Sequence, residues 1–405
     1  MKRRIAITGL GVLSPIGSGL DKFWSSLISG EIGTKEIKSF DTSIYNVNRG
    51  GEVTDMDPAT MLNKLKPEVV GRTSQLAVAA SRMALNDAKF STDTYDNERV
   101  GVCMGTTFGN ASIVEDSHDM ELSGDKEISS DLVLNYPIAY ISSAVSTELG
   151  FEGPSLTIPT ACAAGNYAIS RGVDLIQEGV IDAAIVGGAD GISRCGYTVF
   201  HRLGAIAPEV CQPFTQDRKG MIVSEGAASL VLEDMEKAKQ RGATIYAELI
   251  GYGLSCDAYH PTAPHPEGVG AILAMERAIE DANIEMSDIS YISAHGTGTK
   301  ANDYIESYAI SSMFGKQTDS IPISSIKSML GHTMGAASAI EAVTCALAIR
   351  HSVIPPTMNV TEFDSACVKN IVANKAVHKS INVAMSNSFA FGGNISTVIL
   401  KEVTS

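Results

Sequence analysis

The 405-residue chain has no uninterrupted apolar run long enough to span a bilayer, no CxxC pair, no low-complexity linker and no excess of positive charge. Each absence excludes something. Without a spanning run there is no transmembrane helix to assign. The opening Met1-Lys2-Arg3-Arg4 imitates the basic region of a signal peptide, yet the apolar run behind it is broken by Thr8, Gly9 and Gly11, and Pro15 follows. It therefore reads as a first core strand and a loop, and the expected compartment is the cytoplasm. The seven cysteines (103, 162, 195, 211, 256, 345 and 367) are odd in number and scattered, which argues against a disulfide framework and against a zinc ribbon. A net charge of −15 excludes a general nucleic-acid binder. It would also repel an acidic protein partner unless basic residues gather locally.

What is present is a soluble, globular composition, 44% apolar and 19% charged, on a chain long enough for two domains or one large unit. Strand and helix patterns alternate. In the first half, strands are expected at 4–10, 100–104, 154–159, 183–189 and 227–233, and helices at 20–28, 72–88, 137–149, 163–177 and 235–241. Residues 115–131 read as an exposed polar excursion and 205–226 as loop. The second half repeats the grammar, with strands at 245–251, 289–293, 321–324, 381–386 and 395–401 and helices at 268–282, 302–314 and 334–350. Two successive strand-helix halves with buried strands predict an α/β architecture fused into one body.

Four polar clusters stand at strand ends, where α/β proteins build their sites. Cys162 lies among small residues where an extended run gives way to a helical pattern. A thiol at a helix start can be lowered in pKa and act as a thiolate nucleophile, whereas the same residue in isolation also fits a buried structural cysteine. His295 is followed by Gly296-Thr297-Gly298-Thr299, which lacks the third glycine of a dinucleotide fingerprint. Lys327 and His332 flank Ser328-Met329-Leu330-Gly331, and Phe391-Gly392-Gly393 separates the last two strands. Each histidine alone fits an ordinary surface or core residue, and the double glycine fits a hairpin turn. It is their combination that points to chemistry.

In order, TACAAGNYAI (160–169), AHGTGT (294–299), SSIKSMLGH (324–332) and SNSFAFGGN (386–394) resemble the β-ketoacyl-[acyl carrier protein] synthases, the elongating condensing enzymes of fatty acid and polyketide synthesis. The likeness runs from Ile5-Ala6-Ile7-Thr8-Gly9 through Asp217-Arg218-Lys219-Gly220 to the C-terminal glycine pair. It implies a thiolase-like fold, a five-layered α-β-α-β-α sandwich of two similar halves that dimerises. Residues 1–245 would carry the nucleophile and 246–405 the histidines. By the same resemblance Cys162 accepts the acyl chain, and the N–H groups of Cys162 and Phe391 form an oxyanion hole. His295 and His332 promote decarboxylation of malonyl carrier protein, supported by Lys327 and by a polar network of Asp303 and Glu306. Thr297 and Thr299 would hold the phosphopantetheine arm, Phe391 would gate the acyl pocket, and Phe200 would line it. No metal or organic cofactor is implied. An initiating synthase would carry asparagine in place of His332, and a degradative thiolase a second cysteine near Phe391. A non-catalytic chain-length factor would lack Cys162.

The departures bear on pathway. Asn394 stands where fatty acid synthases usually carry threonine, Ala390 replaces a usual glycine, and residues 191–195 also differ. They lean toward a type II polyketide or polyene ketosynthase paired with a chain-length-factor-like homologue, against a homodimeric fatty acid synthase II. The expected protein partner is an acyl carrier protein. Because such carriers are acidic, a local basic patch is required, with Lys64, Lys66, Arg72 and Arg202 as candidates.

Overall fold

The computed structural model describes residues 2–91, 94–124 and 130–403. Strand β1 (Ile5–Ser14) is buried along its whole length and runs straight through Gly9 and Gly11. The sequence reading ends it at Leu10, because glycines and then Pro15 interrupt the apolar run. Here the two glycines do something else: a Cβ at either would strike the backbone of helix α1 (Arg72–Asp87) at Ala84 or Ala80. Their missing side chains let that Ala-rich helix lie directly on the strand.

The first half continues with β2 (Val100–Gly105), β3 (Ser155–Ile158), helix α2 (Ala164–Gln177), β4 (Ala183–Asp190) and β5 (Gly226–Asp234). The second half holds β6 (Ala247–Cys256), α3 (Val269–Ala282), β7 (Tyr291–Ser293), α4 (Lys300–Phe314), β8 (Ile323–Ser324), α5 (Ala337–His351), β9 (Val383–Phe389) and β10 (Asn394–Lys401). In space the first five strands run β1-β5-β4-β2-β3, antiparallel at the first two joins and parallel at the last two. The second five run β6-β10-β9-β7-β8 with the same sequence of antiparallel and parallel joins. The topology is thus written twice. The two sheets meet where Ile5, Ala6 and Ile7 pair antiparallel with Leu249, Glu248 and Ala247.

Helix α1 covers the outer face of the first sheet, and α3, backed by α4, covers the outer face of the second. Between the sheets lie α2 and α5, which touch each other and strands of both sheets. Every residue of α5 from Ala337 to Ile349 is buried, so this helix has no solvated face. This is the α-β-α-β-α sandwich of a thiolase-like fold. At the centre the two helices approach so closely that a Cβ on Gly165 would stand 2.7 Å from the backbone nitrogen of Ala339.

Two segments differ from the sequence reading. The expected polar excursion contains a helix, Ala111–Ser123, in which Ile113 is the buried residue. One buried position leaves too little apolar periodicity to register as a helix. Positions 125–129 of that excursion lie outside the described residues. Helix Arg194–Arg202, which carries Phe200, falls where no element is expected. Among the described residues no helix is long and apolar enough to cross a membrane.

Candidate active site

Four loops converge at the ends of β3, β7, β8 and β9. After β3 the chain makes a tight 3-10 turn, Ala161–Ala163, before entering α2. Ala161 takes φ 51°, the left-handed region that costs a non-glycine residue about 1–2 kcal/mol. The turn presents Cys162 at the floor of a cleft with 7% of its surface exposed. Burial pushes the thiol up to about 12, while the Lys327 charge pulls it down and Asp190 raises it further. The helix-start effect expected from sequence is therefore outweighed by desolvation, and the thiol holds its proton at neutral pH. Ser388, at the end of β9, donates its hydroxyl to the Cys162 carbonyl at 3.0 Å and ties the two halves together at this point.

His295 follows β7. Its backbone N–H donates to Glu306 Oε1 at 2.7 Å, and that of Gly296 donates to Glu306 Oε2 at 2.8 Å. Asp303, on the same buried side of α4, accepts from the N–H groups of Phe214 at 2.9 Å and Gly298 at 3.2 Å, with Arg218 Nε 3.5 Å away. Burial raises both carboxyls, Glu306 to about 8, against the pull of those amides. The two carboxylates thus clamp the backbone of the histidine loop and leave the imidazole to other partners.

Those partners settle the ring tautomers. Lys327 Nζ lies 3.3 Å from His295 Nδ1, so this nitrogen accepts. Met334 N–H donates to His332 Nδ1 at 3.1 Å, so it too accepts. Burial first, and then the Lys327 charge, hold both imidazoles well below their ordinary pKa and therefore neutral. A neutral ring whose Nδ1 accepts carries its proton on Nε2. Both rings line the cleft, 5.4 Å apart by centroid and near perpendicular at 81°, so each brings an Nε2–H donor to the same pair of neighbouring walls. Lys327, 1% exposed, is neutralised by a short contact with Glu341 on α5, which burial raises to about 7.

The cleft encloses about 790 Å³ including its open mouth. Thr297 and Thr299 line it, their hydroxyls 2.8 Å apart. Phe391 packs on Phe200 at 5.7 Å, and Phe200 on Phe108 at 6.2 Å, forming an aromatic wall. Lys64, Lys66 and Arg202 are exposed. Arg72 is not a free cation: its side chain, 30% exposed, donates to the buried Glu225 at 2.7 Å and to the Val53 carbonyl at 3.0 Å.

Four residues escaped the sequence reading. Glu341 was legible as the lone charge in an otherwise apolar or small-residue run, 334–349. Asp190 ends β4 and accepts from Thr106, Thr107, Phe108 and Gly335. It joins the Phe108 loop to the segment after His332, and burial raises it to about 6. Ser388 and Phe108 carried no signal of their own. No cluster of three or more metal-ligating side chains occurs among the described residues.

Comparison with known proteins agrees over the whole length. The β-ketoacyl synthase N-terminal domain matches residues 2–238 and the C-terminal domain residues 246–361. The 3-oxoacyl-[acyl-carrier-protein] synthase 2 of Synechocystis sp. is 37% identical, covering 99% of this chain and 98% of that protein. The enzyme of the same name from Coxiella burnetii is 38% identical, covering 99% of each. Among solved structures, a chain of the ishigamide ketosynthase/chain length factor superposes with TM-score 0.96 at 40% identity, covering all of both chains. A type II polyketide ketosynthase in complex with its acyl-carrier protein gives 0.92 at 32%, again over the full length of both. The chain belongs to the β-ketoacyl synthase family and is an acyltransferase of the condensing type.

Proposed function

We propose that the chain is a 3-oxoacyl-[acyl carrier protein] synthase acting as the ketosynthase subunit of a type II polyketide or polyene system. Cys162 sulfur attacks the thioester carbonyl of an acyl carrier protein; the arm thiol leaves with the cysteine proton, and the acyl chain stays on Cys162. The N–H groups of Cys162 and Phe391 hold the oxyanion of that step, a contribution of about 3 kcal/mol for one such donor. Malonyl carrier protein follows. Its carbon–carboxylate bond breaks, CO₂ departs, and the electron pair becomes an enolate whose oxygen accepts from Nε2–H of His295 and of His332. The enolate carbon attacks the acyl carbonyl, Cys162 thiolate leaves, and the product is a 3-oxoacyl thioester two carbons longer. The observation that carries the reading is the pair of neutral histidines, each with Nδ1 accepting, in the same cleft as the buried cysteine. A neutral imidazole donates to an enolate without having to lose a charge to the buried site, and a dry pocket strengthens both bonds.

In this reading Thr297 and Thr299 hold the arm, Phe391 gates the cleft and Phe200 lines the acyl chamber. Residues 1–245 supply the nucleophile and 246–405 the histidines. Lys64, Lys66 and Arg202 remain as docking cations, while Arg72 is withdrawn because Glu225 engages it. The chemistry uses no metal or organic cofactor. The partners are an acyl carrier protein and a second synthase-like chain. A chain-length-factor homologue is favoured by the ishigamide neighbour; a homodimeric fatty acid synthase II is favoured by the Synechocystis and Coxiella relatives.

The test is acylation followed by intact mass, with the purified protein alone and with co-expressed homologues. Acyl carrier protein should add one acyl mass, and Cys162→Ala should abolish it. Malonyl carrier protein should lose CO₂ without condensation on Cys162→Gln. Absence of acylation with every partner would refute the reading.

A further inference from the structure

Beside the catalytic cleft lies a second cavity, whose walls include Leu203, Asp217, Arg218, Lys219, Thr299 and Lys300. It adjoins the cleft: Ala205, Thr299 and Ala301 line both. Its charge is the reverse of the molecule's. The chain carries 46 carboxylates against 31 lysines and arginines, yet this lining holds three cations and one carboxylate, Asp217. Arg218 is internally neutralised by Asp303 and Asp364, at 3.5 and 2.6 Å. Lys219 and Lys300 are exposed and make no ion pair among the described residues. Lys300 also opens α4, whose first turn has no side-chain cap at Thr299, so the partial positive charge of the helix start adds to the two ammonium groups.

We propose that Lys219 and Lys300 bind the phosphodiester of the phosphopantetheine arm as it passes the mouth of the cleft. The inference rests on the condensing function proposed above. The arm presents one anion along an otherwise neutral length. Where Thr299 faces the catalytic cleft on one side and this cavity on the other, an arm held by Thr297 and Thr299 brings its outer end to the two lysines. Neither ammonium lies within ion-pair distance of a carboxylate among the described residues, although the charge of Lys300 reaches Asp364, so a phosphate finds both ammonium groups without a direct partner and two charge-assisted contacts add to its retention. The site would register the arm itself, in distinction to the carrier surface that Lys64, Lys66 and Arg202 meet.

The test separates arm from carrier by using acyl thioesters of phosphopantetheine and of pantetheine, which differ only in the phosphate. Acylation of Cys162 is followed by intact mass, and kcat/KM is compared for the wild type and for Lys219→Ala/Lys300→Ala. The wild type is expected to favour the phosphorylated thioester by about tenfold at low salt. That preference should shrink as ionic strength rises. In the double variant the ratio should fall toward one, and Lys219→Arg/Lys300→Arg should retain it. A wild-type ratio near one, or a ratio untouched by the double alanine variant, overturns the proposal while leaving the condensing reading in place. A double variant that is slowed only with the intact carrier protein overturns it as well, by assigning the lysines to carboxylates on the carrier. Failure of the wild type to be acylated by either thioester and by the carrier protein overturns the condensing reading, and this inference with it.

Discussion

Glu341→Ala would leave the Lys327 ammonium, 1% exposed, with no counter-charge in the middle layer of the sandwich. Breaking a buried pair from one side costs about 3–5 kcal/mol, because the surviving charge is stranded in low dielectric. Lys327→Ala should cost less, because Glu341, already raised to about 7 by burial, then takes up a proton instead of standing as an unpaired charge. The pair is itself poorly satisfied, since Glu341 Oε2 has no hydrogen-bond partner among the described residues. Replacing both members with packed apolar groups of similar size, Lys327→Met/Glu341→Leu, should therefore restore stability to within about 1 kcal/mol of the wild type, or exceed it. Urea unfolding of the wild type, this double variant and its component singles, Lys327→Met and Glu341→Leu, completes the cycle, and the coupling should be about 3 kcal/mol or more. The same double variant should lose malonyl decarboxylation by about tenfold or more, because the group that keeps His295 Nδ1 accepting is gone. Stability and activity would then part company in one protein. A double variant as unstable as either single one would refute the ion-pair reasoning. Full decarboxylation in it would refute the role given to Lys327.

Three other outcomes follow from the same geometry. The histidines are neutral in the fold and protonate near 6.5 when unfolded, so the stability they contribute is complete above pH 6.5 and is lost as pH falls below it. The buried carboxyls, raised in pKa, work in the opposite direction, and only a difference isolates one ring: the stability of the wild type relative to His332→Asn should fall by about 1 kcal/mol between pH 6.5 and 5.5, as read by urea unfolding. Arg72→Ala should lower stability by about 2–4 kcal/mol, since it leaves Glu225 buried with only backbone donors, and it should leave the apparent KM for carrier protein unchanged when assayed below the melting transition. Phe108→Ala removes the ring behind Phe200 and opens the aromatic wall, so competition between short and long acyl carrier proteins, weighed on Cys162, should shift toward the longer chain.

The sequence reading locates Cys162, His295, Lys327 and His332 at strand ends because small and glycine residues mark those loops, and the fold brings Cys162, His295 and His332 to one cleft with Lys327 buried behind His295. It could not foresee the sign of the Cys162 shift. A helix start is visible in sequence, but the depth at which the folded chain buries the thiol is not, and burial is the larger effect. Arg72 was misread for a related reason. Position and charge suggested a solvent-facing cation, whereas its partner Glu225 is 153 residues away and invisible to local pattern. Gly9 and Gly11 show the limit for elements. Glycine in a strand is ambiguous between a break and a close approach, and only the facing helix decides. The nine-residue helix Arg194–Arg202 has no counterpart in the sequence reading, although its buried Gly196, Tyr197 and Phe200 stand at helical spacing.

The contact of Gly165 with Ala339 has a further consequence. Cys162 precedes one central helix and the His332 loop precedes the other, so the reach from that sulfur to that imidazole depends on how far apart two helices from opposite halves stand. That spacing is a mechanical setting of the catalyst, held by the absence of a single methyl group. A bulkier residue at Gly165 would alter no functional side chain, yet it would lengthen every distance across the cleft together. The doubled topology makes two scaffolds of one plan, and it is the clearance between them, more than anything within either, that tunes the enzyme.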